Sequence, residues 1–373
     1  MELMKLNANN QATKLIENYD SLIWTERFTG IGDFQLVTGD VDQMKAALPE
    51  GTVLTLREST VPMIVEDHLV ERKKNTGAKL FIKGREFTSI LDRRVSVQAV
   101  SAALAEWKVT AKIPSDVAHY IITQICVTGV NDAADIFPST VVQFPTPADY
   151  LNTSGPNREF VVPRGKLLNT VLDFLKSESE ANASTTPPSP AVVPHGIRAV
   201  RPNRTGTAIS IQIYTGTDKT ATVRFDATRD QLDDGSYLFS KRGLANAAYV
   251  LGPTAAFKLN KGATNPTGLD RRVTLVDATT SGITSSDGVK NEGIDALNKA
   301  NETAKFDGSL NTDLSLYTYN VDYALGDIVL LAGDYGLNTR SRVTEYIRSS
   351  DATGSKSYPT LVSIEKDPLG ASS

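Results

Sequence analysis

The chain has 373 residues, 40% hydrophobic and 22% charged, an ordinary globular balance that can fill two or three cores without metals or disulfides. Its formal net charge of −4 leaves no basic excess to grip a phosphate backbone. The lone cysteine, Cys126, excludes an intramolecular disulfide. No run approaches the ~20 apolar residues of a membrane span, and Met1–Asn7 lacks the apolar core of a signal peptide. A chain made as a soluble cytoplasmic protein is therefore expected.

The first part alternates like strands broken by tight turns. Leu22, Ile23, Trp24 and Phe28 lie in one segment, a turn follows over residues 29–33, and Phe34 and Leu36 alternate with Gln35 in the next. Residues 41–48 suit two helical turns, stopped at Pro49-Glu50-Gly51. Residues 52–57 and 62–72 read as strands, the latter turning at Asn75-Thr76-Gly77 into a strand over 79–83. Strands this short and closely spaced suggest a small barrel. From Ser96 the spacing becomes helical. Val97, Val100, Leu104 and Trp107 predict a helix capped by Ser96, Ser115 caps a second carrying Val117, Tyr120, Ile121 and Ile125, and Leu167 to Leu175 predict a third.

Residues 177–205 read as a Pro/Ser/Thr-rich linker. Strand alternation resumes at Ile209, Ile211 and Ile213, and again at Ala221, Val223 and Phe225, which predicts a hairpin with all six on one face. Residues 272–276 suit a strand, and Ile294, Leu297 and Ala304 one face of a helix weakened by Gly293. The end is β again, over 309–319, 328–332, 340–348 and 358–365. The expected fold class is β-rich α+β, with two antiparallel barrels around a mixed helical insertion. The expected units are a first barrel over 1–96, a mixed domain over 97–176, the linker over 177–205, a second barrel over 206–257 and 305–366, and a loop-rich insertion with a helix over 258–304.

No reactive constellation stands out. Cys126 sits in an apolar run near a helix end, where a buried structural role outweighs that of a nucleophile activated by a histidine. His68, His119 and His195 show no metal-ligand spacing. Glu66 and Asp67 are neighbours on a strand and point to opposite faces. Asp233-Asp234 reads as turn, and Gly326-Asp327 and Gly333-Asp334 as turns with no helix behind them to receive a phosphate. Arg93-Arg94 suits a structural ion pair better than a phosphate site. Arg198, Arg201 and Arg204 form a basic stripe without aromatics to stack bases. No catalytic, cofactor-binding or metal-binding residue is expected.

With those motifs set aside, Trp24–Phe28, Gly32–Leu36, Gly51–Leu54, Pro62–Glu66 and Gly84–Arg94 remain in order, followed late in the chain by Tyr323–Val329 and Arg342–Glu345. This succession resembles the tail-tip hub proteins of long-tailed actinobacterial phages. They are similar to contractile-tail baseplate hubs and to the N-terminal part of tail-associated lysins. The resemblance implies two tail-tube-like barrels per chain and a trimeric ring of six barrels between a six-fold tube and a three-fold tip. It further implies a place in the virion tail tip, without cofactor or membrane span. The implied neighbours are the distal tail ring protein, the tape measure protein and other tip or fibre proteins, with DNA passing through unbound. Such proteins commonly continue into a lysin or fibre domain, whereas this sequence ends at Ala371-Ser372-Ser373, which argues against a built-in lytic activity. The rival readings are a tail-associated cell-wall hydrolase and a receptor-binding minor tail protein.

Overall fold

The computed structural model describes residues 1–74, 77–98, 106–144, 158–178, 194–201, 208–226, 232–262, 265–279, 285–300, 303–310, 316–332 and 338–364. The chain opens with β1 (Leu3–Leu6), β2 (Ala12–Ile16), β3 (Ser21–Arg27), β4 (Asp33–Thr38), α1 (Val41–Ala47), β5 (Val53–Leu56), β6 (Met63–Lys73) and β7 (Gly77–Glu86). All seven strands join one sheet through antiparallel pairs. Alternation puts Leu22, Trp24, Leu36, Leu80 and Ile82 on its covered face, where Met44 and Leu48 from α1 and its end complete the core. The opposite face carries Arg27, Asp33, Glu66 and Arg85 around an open groove of ≈ 910 Å³.

A 3₁₀ turn (Phe87–Arg93) leads into the mixed part, made of β8 (Trp107–Ala111), α2 (Pro114–Ile122), β9 (Val142–Gln143), β10 (Arg158–Val162), α3 (Leu167–Glu178), β11 (His195–Val200) and β12 (Ile209–Thr215). A π-helical turn (Thr123–Thr128) continues α2 and ends at Gly129 in the left-handed region, φ 67°. The helices α2 and α3 pack with the β8–β10 pair and with β11 and β12 around Trp107, Val117, Ile121, Val171, Ile209 and Ile211.

Then follow β13 (Arg224–Asp226), β14 (Leu232–Ser240), β15 (Ala247–Leu251), β16 (Ala256–Asn260), β17 (Val273–Asp277), α4 (Ser286–Lys299), β18 (Thr303–Leu310), β19 (Ile328–Ala332), β20 (Asn338–Asp351) and β21 (Gly354–Ser363). β14 pairs with β18. A small unit forms where α4 covers one face of the three-stranded sheet β16-β15-β17.

The long strand β20 joins the two β-rich ends of the chain. Along one edge it pairs first with β19, over residues 338–342, and then with β3, over residues 345–350. Along its other edge it forms a hairpin with β21, bulged between Val343 and Glu345. A strand that changes neighbours at a bulge turns a corner between two layers. The result is one open eleven-stranded sheet, β13-β19-β20-β3-β4-β7-β6-β5-β1-β2 with β21 on β20. The expected pair of separate barrels is thus not closed among the described residues, and the β-rich ends share a strand.

Several local expectations fail for tertiary reasons. The hairpin over 209–225 does not form: β12 pairs with β11 and β9, whereas β13 pairs with β19. Ile209 and Ile211 therefore pack with the helices while Val223 and Phe225 enter a separate core, and Ala221 is exposed. Trp107 stands on β8, where pairing with β10 outweighs its helical spacing, and residues 99–105 of the expected helix lie outside the described residues. The Ser96 hydroxyl lies 2.8 Å from that of Thr170 and donates to Pro163 O at 2.6 Å. Ser115 lies inside the first turn of α2, behind Pro114, which suits that position because it has no N–H to satisfy. His195–Val200, placed in the linker on composition, is the strand β11, and residues 179–193 lie outside the described residues. Asp233 and Asp234 fall at a register shift within β14 rather than in a turn. Ala304 belongs to β18, beyond the end of α4.

Candidate functional site

The family-like segments at the two ends of the sequence meet at one place, the seam between β3 and β20. Just past the end of β3, Phe28 N–H donates to Thr344 O at 2.8 Å, at the bulge of β20. The Phe28 ring is fully buried in a core that otherwise comes from residues 223–361, with Phe225, Tyr323, Leu325 and Val343. It lies edge-on to Tyr214 of β12 at 5.4 Å and under the Arg342 guanidinium at 5.6 Å. Two glycines make room for it. A β-carbon at Gly196 on β11 would come within 2.5 Å of the ring, and one at Gly326 within 2.4 Å, where φ of +88° already disfavours any side chain. One aromatic side chain thus touches the end of β3, the mixed part and the core formed beside β19 and β20.

Around Phe28 the polar groups are paired across the seam. Glu26 on β3, 2% exposed, meets Arg348 of β20 and accepts from Ser59 Oγ at 2.6 Å and Tyr319 Oη at 3.0 Å. The Arg348 guanidinium lies 4.6 Å from the centre of the Tyr346 ring, which stacks on Tyr319 at 3.7 Å. Neighbouring Arg27 bonds Glu345 at 2.7 Å and Asp33 at 3.1 Å. Asp327 organises the adjoining turn, accepting from Thr217 N at 2.7 Å and Ala324 N at 2.9 Å, while Arg342 Nη1 donates to Gly326 O at 2.6 Å.

Glu86, at the end of β7, forms a second node. Its fully buried carboxylate accepts from Thr88 Oγ1 and from Ala199 N of β11, both at 2.6 Å, and from Gly32 N at 3.4 Å. Burial pushes its pKa up to about 7 despite those donors. This node ties the turn between β3 and β4 to the mixed part.

The residues examined for chemistry fall elsewhere. Cys126 is buried and its thiol is pushed up to about 12 by burial, the opposite of an activated nucleophile. Burial, then the nearby charge of His195, pushes His119 down to about 3, which keeps it neutral. His68 bonds Leu48 O at 2.7 Å. Glu66 pairs with Arg85 through two bonds of 2.7 and 2.9 Å, beside a bulge between Val65 and Asp67. Arg94 reaches Asp135 at 3.3 Å and lies over Phe137, whereas Arg93 is exposed at the groove. Arg198 covers Tyr214 at 4.1 Å, Arg201 is buried, and Arg204 and Gly333-Asp334 lie outside the described residues. Among the described residues no group of three or more His, Cys, Asp or Glu side chains could hold a metal ion, and no helix is long and apolar enough to cross a membrane. Sequence reasoning missed Glu26, Glu86 and Arg348, because a charged residue on a strand reads as solvent-facing until its neighbours are known.

The fold is that of prophage tail proteins. The 43 kDa tail protein of prophage MuSo2 from Shewanella oneidensis is similar with a TM-score of 0.56 and 11% identity, over 97% of this chain and 98% of that one. The tail protein from Neisseria meningitidis MC58 gives 0.55 and 10%, over 98% of each chain. Prophage tail protein gp18 from Listeria monocytogenes EGD-e gives 0.53 and 10%, over 98% of this chain and 95% of that one. No curated protein sequence matches. The family model of the siphovirus ReqiPepy6 Gp37-like proteins matches residues 6–361, and the chain belongs to that family.

Proposed function

We propose that the protein is a structural component of a phage tail, the hub of the tail tip, and that three copies form a ring between a six-fold tube and a three-fold tip. The observation that carries this reading is the seam. β20 pairs with β19 and β3 in succession, so strands from the two ends of the chain are held in one register. A ring of three chains can imitate six-fold symmetry only if each chain presents two related units in a fixed relation. The buried Glu26–Arg348 pair and the Phe28 socket supply that rigidity. In this reading residues 1–96 form one tube-like unit, residues 206–257 and 305–366 the other, and residues 97–176 and 258–304 are insertions on them. The distal tail ring and tape measure proteins are its neighbours, and DNA passes without being held. An obligate ring should bury well over ~2,000 Å² per interface. Imaging of the tail tip tests the proposal. Three copies per ring are expected; six copies, or one, would refute it.

A further inference from the structure

Independently of the hub reading, the contact between the first sheet and the mixed part is built differently from the cores it joins. One apolar core lies on each side of it, the first around Leu22, Trp24 and Leu36, the second around Trp107, Val117 and Ile121. Glu86 stands where they meet: it is the last residue of β7, and Phe87, Ile90 and Leu91 just after it already belong to the second core. Ile31 and Val53 pack across the contact. Polar bonds bridge the rest of it, from Ala199 N to Glu86 Oε1 at 2.6 Å, from Arg201 N to Thr60 O at 2.9 Å and from Asn10 Nδ2 to Val141 O at 3.1 Å. A joint made largely of hydrogen bonds between two cores can open locally, because few apolar contacts have to break.

The two carboxyl oxygens of Glu86 are bonded unequally. Oε1 accepts two short bonds, from Thr88 Oγ1 and Ala199 N at 2.6 Å each, as a carbonyl oxygen can. Oε2 has the Gly32 N–H at 3.4 Å, beyond the usual range of such bonds, and is the oxygen left for a proton. These donors are all neutral, and the side chain is 1% exposed. The charged and titratable groups around it come from β3, β20, β11 and β12. Glu26 is paired with Arg348, Arg198 lies over the ring of Tyr214, whose phenol burial keeps protonated, and Arg201 is buried just past β11. Of the surrounding charges, that of Glu26 acts on Glu86 most strongly. Burial and then the Glu26 charge oppose ionisation, so Glu86 keeps its proton to higher pH than a solvated carboxyl does.

We propose that this joint is a proton-gated hinge, closed while Glu86 holds a proton on Oε2 and opening as that proton passes to solvent and the carboxylate becomes hydrated. Opening frees Ala199 N and parts the Arg201–Thr60 bond, while both cores stay packed. Linkage fixes the sign. The closed joint binds the proton more tightly than the open one, so rising pH favours opening, by about ten-fold per pH unit while only the closed form is protonated and no further once both are ionised.

Amide exchange of the full chain, corrected for intrinsic rates, tests the hinge. Protection of Ala199 and Arg201 should fall about ten-fold per pH unit between about pH 5 and 7 and level off above that. At each pH these two amides should exchange about ten-fold or more faster than amides inside the cores, on β4 and α2. Glu86→Gln, which cannot ionise, should hold their protection constant across the range. Thr88→Val removes a hydroxyl that favours the ionised form and should move the levelling point to higher pH. Loss of a merely structural bond would lower protection without moving that point, so this variant decides the matter even where Glu86→Gln does not fold. Flat protection in the parent, an unchanged slope in Glu86→Gln or an unmoved levelling point in Thr88→Val would each overturn the proposal. So would exchange of Ala199 and Arg201 no faster than that of the core amides, which would show that ionisation unfolds the whole chain instead of this joint.

Discussion

Replacing Arg348 by methionine tests whether the seam holds the two ends of the chain together. Both side chains of the Glu26–Arg348 pair are at most 5% exposed. Removing the guanidinium leaves the Glu26 carboxylate buried with two neutral donors, Ser59 and Tyr319, and no cation. Breaking one side of a buried pair costs about 3–5 kcal/mol, and the lost cation over Tyr346 adds up to about 1 kcal/mol. The expected loss of about 4 kcal/mol is large beside a typical folding stability of roughly 5–15 kcal/mol. Adding Glu26→Gln should recover much of it, because an amide still accepts from Ser59 and meets the Tyr319 phenol without a buried charge. The double variant should cost about 1–2 kcal/mol. Arg57→Ala is the control: its pair with Glu2 is about half exposed on both sides and should cost under about 1 kcal/mol. Urea unfolding followed by tryptophan fluorescence reads the parent, Arg348→Met, Glu26→Gln, the double variant and Arg57→Ala, since buried Trp24 lies on β3. The reasoning fails if Arg348→Met costs no more than Arg57→Ala, or if the double variant costs the sum of the singles.

Gly326→Ala should destabilise by about 2 kcal/mol or more, because it combines positive φ with a clash on Phe28; Gly39→Ala, with open space and no positive φ, should melt like the parent. The raised pKa of Glu86 means that between about 4.5 and 7 the folded chain keeps a proton the unfolded chain has released. Stability should therefore fall as pH rises through that window, by roughly 3 kcal/mol in all, and Glu86→Gln should flatten that fall; an unchanged pH slope in the variant refutes the assignment. Ile211→Asp should prevent cooperative folding by placing a charge among the helices, whereas Gln212→Asp, on the half-buried face of β12, should stay folded by circular dichroism. Cys126 should resist a thiol reagent until the chain is unfolded, and prompt labelling of the native protein would contradict its burial.

What the sequence made legible was local. Period-two alternation located β3, β4, β6, β7 and β19 to within a few residues, and the leucines of α3 located a helix whose apolar stripe is buried as expected. Pairing was less legible, because alternation says which side chains share a face but not which strand lies alongside. Ile209 to Ile213 and Val223 to Phe225 fit a hairpin equally well in the sequence. The long antiparallel partner β11 and the parallel partner β19 drew them into different cores. Composition misled at His195–Val200, where prolines upstream made a buried strand look like linker.

The seam was hidden for a related reason. Its parts lie 322 residues apart in the case of Glu26 and Arg348, and each alone is an unremarkable charge on a strand. Yet the segments that carried the family resemblance, Trp24–Phe28, Gly84–Arg94, Tyr323–Val329 and Arg342–Glu345, are the ones the fold brings together here. Each holds a residue that geometry constrains: Phe28 between two glycines, Gly84 with Ile64 O 1.9 Å from where a β-carbon would stand, Gly326 at positive φ, and Arg342 over the Phe28 ring. A reactive site would have concentrated nucleophiles or ligands in such segments. These segments instead concentrate close packing and buried pairing, where strands from the two ends of the chain join one sheet.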